Sequence, residues 1–443
     1  LTGRALLPLL AALALGPPPA IAQRVVLVSV DGLRPDFYLD PAAHGAELPT
    51  FRSLMREGVY AEAVEGVFPT VTYPSHTSIV TGVSPAKHGI LNNYVLDEKG
   101  RFDDWYWRSD SIRVKTLWDA ASGTTAAIQW PVTVGADIDV NFPEFWIPGS
   151  DLPWSDVMKQ AASPQTLELV GPLPEWELDE EPLEDLVFRA AERVLQTHRP
   201  QLLLVHVTNT DTKQHRRGRE HPEVAAAFER VDRALGNLRF RIASLGLADE
   251  TLLVVTGDHG FIQTHTSIHM NTRLREAGLL EVGADGSVSS FRALAWPSGG
   301  SCFLILKNPG DEGARKRVEA VVAEMLAGPL SGILTRIERP ELDRLGAMPG
   351  ALFALEAREG YLFGKNREGP LLTASEDLGY HGYLPVHPRM KTGFLMAGPR
   401  VRAGVAVPQM RQIDVAPTIA LWAGWELKDA EGLALRGLFE DKE

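Results

Sequence analysis

Five carboxylate or imidazole side chains stand at or shortly after the ends of apolar runs in this chain. Asp31 closes the run 24–30, Asp211 and His215 follow 201–207 four residues apart, and Asp258 and His259 follow 251–256. These are ligand types that zinc accepts. A sixth, His381 in Gly379-Tyr-His-Gly382, completes two sets of three. Asp31, Asp258 and His259 form one set, and Asp211, His215 and His381 the other. A phosphodiester under attack carries charge on its entering, leaving and non-bridging oxygens together, and two ions ~4 Å apart can clamp all of them. A single aspartate after a strand is most often a helix cap, and a single histidine a surface residue. Recurrence at three successive strand ends argues instead for one shared site.

Such a site needs a nucleophile, and the segment from Phe68 to Gly82 is rich in hydroxyls. Pro74 suits the first turn of a helix over about 74–81. Thr72 would then lie just before a helix N-terminus, where free N–H groups and the dipole favour an alkoxide and an approaching phosphate. Thr70, Thr72 and Ser75 all compete for this role on local sequence, and each could equally be a plain cap.

The elements that must position these groups are legible as alternation. The runs 24–30, 201–207 and 251–256 have the continuous apolar character of buried parallel strands, with helical patterns over 183–197 and 223–245 between them. This order predicts an α/β fold, a mostly parallel central sheet with helices on both faces. Ligands of such sheets bind beyond the carboxyl ends of the strands, where Asp31, Asp211, Asp258 and His259 fall. From about 262 to 378 the pattern changes to strand 302–307, helix 312–326, strand 332–339, helix 340–345 and strand 351–357, which reads as a small inserted α+β lobe. A strand over 391–399 then returns to the main sheet, and a helix over 413–423 closes the chain.

Composition narrows the partners. Of 443 residues, 44% are hydrophobic and 23% charged, an ordinary globular balance. A net charge of −13 argues against a nucleic-acid polymer as main partner, since such affinity rests on Lys and Arg. Residues 1–22 read as a cleaved secretory signal, with Arg4, a short apolar run and Ala20-Ile-Ala22, leaving 23–443 as the catalytic domain. The chain is therefore expected to be exported, periplasmic or secreted, without a membrane span, because no apolar stretch approaches ~20 residues. One cysteine, Cys302, allows no internal disulfide and lies in an apolar strand-like run.

These residues together resemble the ecto-nucleotide pyrophosphatase/phosphodiesterase family of the alkaline phosphatase superfamily. The resemblance rests on Ser29-Val-Asp-Gly32, Pro69-Thr-Val-Thr-Tyr-Pro74, Pro85-Ala-Lys-His-Gly-Ile90, Asp211-Thr-Lys-Gln-His215, Asp258-His-Gly260 and His381-Gly-Tyr383. It implies an alkaline-phosphatase-like fold and two zinc ions held by the sets above. It also implies Thr72 as nucleophile and additional metal ligand, and a phosphothreonine-type covalent intermediate. Asn93 would donate to a phosphoryl oxygen, with Asn92 as the competing neighbour. Tyr73 resembles the family's aromatic wall beside the phosphate, and Trp105, with Tyr106 and Trp107, adds stacking surface for a small phosphodiester or nucleotide substrate. The chain departs from the family at Ser75 and Gln214, and Lys213 beside the ligands could favour a monoester. Trp130-Pro131 resembles the diesterase branch and tilts the expectation to phosphodiesters and nucleotide pyrophosphates. A phosphomonoesterase, a phosphonate hydrolase and a non-catalytic phosphate-binding protein remain the alternatives.

Overall fold

A computed structural model describes residues 23–147, 151–173 and 179–440. The signal-like segment 1–22 lies outside the described residues.

The central sheet has eight strands. In chain order they are β1 (Arg24–Val30), β2 (Val59–Ala61), β3 (Thr125–Ile128), β4 (Val140–Phe142), β5 (Leu202–Val207), β6 (Thr251–Thr256), β7 (Phe394–Ala397) and β8 (Val405–Val407). Their spatial order is β8-β2-β7-β6-β1-β5-β3-β4. All pairings are parallel except the two made by β7, which returns antiparallel between β6 and β2.

β1 shows why the sheet must be central. Its alternate residues Val26, Val28 and Val30 join a core with Phe188 and Phe228, while Val25 and Leu27 join Ile79, Ile419 and Trp422 on the other face. A strand buried on both sides reads as a continuous apolar run because neither set of alternating side chains meets water. Helices α1 (Thr72–Thr81) and α5 (Val415–Ala423) cover one face, and α2 (Glu180–Thr197) and α4 (Pro222–Ser244) the other. α3 (Asn209–Arg217) leaves the carboxyl end of β5.

Between β6 and β7 the chain builds a second, four-stranded antiparallel sheet with its own core. Its strands are 293–298, 301–306, 334–337 and 351–357, and Trp296, Phe303 and Phe353 are buried in that core. The first of these strands has no counterpart in the sequence reading. Neither does the strand 262–268, whose polar Thr264, Thr266 and Ser267 give no apolar run. Cys302 is buried in the 301–306 strand, where desolvation pushes its thiol pKa far up and leaves it unreactive. Among the described residues, no helix is long and apolar enough to cross a membrane.

Candidate active site

The three strand ends converge as the sheet requires. β1, β5 and β6 are parallel neighbours in register, so Asp31, the start of α3 and Asp258 emerge side by side. Gly32 makes the first turn possible. It has a φ of +67°, and a Cβ there would lie 2.7 Å from both Gln214 Nε2 and the Phe261 ring. Its N–H donates to Asp258 Oδ1 at 2.9 Å, tying the ends of β1 and β6 together.

Each expected set of three is brought together, with one ligand atom per residue within 4.8 Å of the others: Asp31, Asp258 and His259, and Asp211, His215 and His381. Asp211 and His215 lie on α3, an ordered helix rather than a loop, so their spacing of four places them on one face. The two sets adjoin through the rings of His259 and His381, stacked 3.6 Å apart. His381 is held by a glycine-dependent contact, because Gly382 has a φ of +87° and a Cβ there would strike the Ser298 carbonyl.

The hydrogen bonds define what these sets can hold. His215 Nδ1 lies 2.9 Å from the Gly379 carbonyl, His259 Nδ1 3.2 Å from that of Gly260, and His381 Nδ1 3.1 Å from that of Thr70. A carbonyl oxygen only accepts, so each Nδ1 carries a proton, and the neutral form of each ring directs an Nε2 lone pair inward. Those lone pairs meet carboxylate oxygens. His259 Nε2 is 3.1 Å from Asp258 Oδ2 and 3.3 Å from Asp31 Oδ1, and His215 Nε2 is 3.4 Å from Asp211 Oδ1. The same three oxygens, Asp31 Oδ1, Asp258 Oδ2 and Asp211 Oδ1, are buried without a hydrogen-bond donor. Acceptors facing acceptors in a buried cluster fit a cation between them, and the N/O donor set fits zinc.

The protonation tendencies agree in direction. Burial, and then neighbouring Asp211, raise the Asp31 carboxyl well above its usual range, and burial and Asp31 do the same to Asp258. Burial lowers His259 far below the ordinary imidazole value and His381 to about 3. Burial alone would raise Asp211, but His215 and His381 outweigh it and hold it below the usual carboxylate range. Burial alone would lower His215, yet Asp211 raises it overall.

Thr72 opens α1 as its first helical residue, two residues earlier than the sequence suggests, with extended Val71 as the cap. Pro74 still falls in the first turn, where no intrahelical N–H bond is lost. Thr72 Oγ1 lies 3.4 Å from His259 Nε2, and its carbonyl accepts from His76 Nδ1 at 2.8 Å. Thr70 instead turns its hydroxyl to the Tyr383 carbonyl, and Ser75 is fully buried. The Asn93 side-chain oxygen accepts from the Tyr73 N–H at 2.9 Å, and Asn93 lines a cavity of about 120 Å³ together with Thr72 and His381. Asn92 is committed elsewhere, donating to the Pro297 carbonyl and Ser298 Oγ.

Tyr73 is not a wall of the cleft: its ring is 0% exposed. It lies behind Trp105, with ring centroids 5.1 Å apart, and its hydroxyl is 3.4 Å from Glu144. Trp105 lines both the 120 Å³ cavity and an adjoining one of about 420 Å³, which also share Thr72 and Asp211. Trp107 is buried under it, so the tryptophan-rich loop presents one ring to the cleft and uses another for packing. Lys213 lies 3.5 Å from Glu181 and 3.9 Å from Glu223, carboxylates of the neighbouring helices. A larger cavity of about 670 Å³, lined by Leu54, Phe240 and Ala243, is remote from all of these groups.

Two supporting residues escaped the sequence reading. His206 in β5 places Nε2 3.2 Å from Asp31 Oδ2, while its Nδ1 lies 3.0 Å from the Gln129 carbonyl and 3.2 Å from Glu144 Oε2. Burial opposes its protonation, but Glu144 outweighs this and raises its pKa. A histidine inside an otherwise apolar strand was the available signal for His206. Glu144 had none.

The family model for type I phosphodiesterase/nucleotide pyrophosphatase matches residues 25–384, and the chain belongs to that family. It is 27% identical over 251 residues to the mouse bis(5'-adenosyl)-triphosphatase enpp4, covering 55% of this chain and 48% of that protein. To human ectonucleotide pyrophosphatase/phosphodiesterase family member 5 it is 27% identical over 254 residues, covering 54% and 45%. The chain thus spans about half the length of these curated relatives. In structure it resembles human ENPP5 with a TM-score of 0.67 at 21% identity, over 95% of this chain and 100% of that one. Murine ENPP5, solved as an inactive threonine-to-alanine variant in complex with AMP, matches equally at 0.67 and 20% identity, over 94% and 100%. The fold is therefore the alkaline-phosphatase-like α/β fold.

Proposed function

We propose that this chain is an exported, two-zinc phosphodiesterase or nucleotide pyrophosphatase that works through a phosphothreonine at Thr72. The observation that carries this reading is the convergence of neutral imidazole lone pairs on donor-less buried carboxylate oxygens, with a threonine hydroxyl 3.4 Å from one of those imidazoles. Zinc ions held by the two sets would supply Lewis acidity and neutralise phosphoryl charge. Thr72 Oγ1 bonds to phosphorus as the bond to the leaving oxygen breaks, and water then cleaves the phosphothreonine. Thr72 sits at the amino end of α1, whose dipole favours the anionic oxygen. Asn93 is held with its oxygen on the Tyr73 N–H, which leaves its amide N–H groups to donate to a non-bridging oxygen. Support for a nucleotide substrate comes from Trp105 on the cleft and from the AMP complex of murine ENPP5. The relatives' ecto-enzyme names, with the signal-like 1–22 segment, support export.

The test is steady-state kinetics on thymidine 5'-monophosphate p-nitrophenyl ester, bis-p-nitrophenyl phosphate and p-nitrophenyl phosphate, with zinc and after chelation. The nucleotide diester should be preferred and chelation should abolish turnover. Thr72→Ala should lose about 10⁴-fold or more in kcat while still binding zinc. A preference for the monoester would move the chain to the phosphatase alternative, and an unaffected Thr72→Ala variant would exclude the covalent mechanism.

A further inference from the structure

We propose that Lys365 forms a subsite for a second phosphate, so that the enzyme selects phosphoanhydrides over diesters whose leaving group is neutral. This deepens the function proposed above and rests on it. Lys365 follows the strand 360–363 in the segment between β6 and β7, and lines the 120 Å³ cavity with Thr72, Asn93 and His381. Its Nζ stands 3.4 Å from the centroid of the Tyr94 ring. An aromatic face holds an ammonium in place without neutralising it.

Among the described residues no carboxylate lies within ion-pairing distance of this ammonium, although the chain carries a net charge of −13. Lys213, beside the ligand residues in sequence, is instead paired with Glu181 and Glu223. The carboxylate of Asp103, close by, is 3.4 Å from Arg367. Lys365 is thus a positive charge with an open side on the cleft.

Its position relative to the two sets gives the charge a role. The nucleophile Thr72 adjoins His259 of the first set, whereas the cavity that holds Lys365 is walled by Asp211, His215 and His381 of the second. The leaving group therefore departs on the Lys365 side. In a phosphoanhydride the Thr72 hydroxyl loses its proton to water, its oxygen bonds to the attacked phosphorus, the bond from that phosphorus to the bridging oxygen breaks, and the bridging oxygen leaves on the second phosphate with the electron pair. That phosphate gains negative charge as it leaves, and a lysine there is worth more in the transition state than in the bound substrate. A neutral aryl or alkyl leaving group offers it nothing to neutralise.

The experiment compares wild type, Lys365→Ala and Lys365→Arg, each zinc-loaded, on a nucleoside triphosphate and on bis-p-nitrophenyl phosphate, with inorganic pyrophosphate as a competitive inhibitor. The alanine variant should lower the ratio of kcat/KM on the anhydride to that on the diester about tenfold, weaken pyrophosphate inhibition similarly, and be largely rescued by arginine. An unchanged ratio and unchanged pyrophosphate inhibition in an active alanine variant would overturn the subsite while leaving the function standing. A wild-type enzyme inactive on both substrates would overturn the function itself.

Discussion

The two sets of ligand-type residues use the same chemistry but are built differently. Asp31, Asp258 and His259 sit at the ends of adjacent parallel strands and are almost wholly buried. Asp211 and His215 are partly open to the cleft on α3, and His381 reaches them from the chain that returns after the second sheet. In the inner set, burial and mutual repulsion push both carboxyls up; in the outer set, two imidazoles hold the carboxyl down. The inner set is thus a strained charge cluster that a cation would relieve, and the outer set is partly self-neutralising. One site thus combines a deeply buried half with a half that is partly open to the cleft.

The comparison would break first at His381. Substituting His381→Ala removes the outer set's only ligand from outside α3, and kcat/KM on a nucleotide diester should fall about 10³-fold, with little change in chemical stability of the metal-free chain. Zinc titration and denaturation of the same sample check both halves. An equal loss of stability would show that the outer set is as structural as the inner.

Asp258→Asn sharpens the contrast in the opposite direction. Its amide oxygen can keep the bonds from the Gly32 and His259 N–H groups, while its NH₂ can donate to the His259 Nε2 lone pair. The metal-free variant should be about 1–2 kcal/mol more stable than wild type near neutral pH, although zinc binding fails. The sign follows from the raised pKa of Asp258. At low pH the folded wild type holds a proton there and resembles the amide. From the unfolded value of about 3.9 upward, the folded wild type is pressed to give up that proton at a cost, so the variant's advantage grows with pH through the window up to the raised value. The corresponding Asp211→Asn variant should gain nothing, because Asp211 is held low by His215. Urea unfolding from pH 4 to 8 in chelator measures both.

Smaller effects should come from the supporting residues. His206→Asn loosens Asp31 without touching a ligand atom and should weaken zinc affinity about 10- to 100-fold, read by competition with a chelating dye. Trp105→Ala should raise KM about fivefold for a nucleotide diester and less for a small alkyl aryl diester, in line with ~1 kcal/mol for one aromatic contact. Equal changes on both substrates would assign Trp105 to packing.

The central strands were legible because they are buried on both faces and carry unbroken apolar runs, and the strand-end positions of Asp31, Asp258 and His259 followed from them. Strand 262–268 was not, since Gln263 and His265 are exposed and Thr264, Thr266 and Ser267 are polar. The helix carrying Thr72 was legible from Pro74 but placed two residues late, because proline is tolerated throughout a first turn and does not mark its first residue. Tyr73 and Trp105 could not be told apart as wall and support, since aromatic type alone does not say which ring reaches solvent. Lys213 and Lys365 illustrate the same limit for charge. The one beside the ligand residues in sequence is paired away from the site, and the one distant in sequence lines it.

The family, the buried strands and the residue types at their ends can be read along the chain, because strand burial, turn residues and i to i+4 spacing are properties of neighbouring residues. Long-range packing stacks His381 on His259, turns the Nδ1 proton of His215, His259 and His381 to a carbonyl, and brings Glu144, His206 and Lys365 to the site. These depend on segments dozens to hundreds of residues apart, and sheet order and the packing of the second sheet, rather than local chain geometry, set the distances between them.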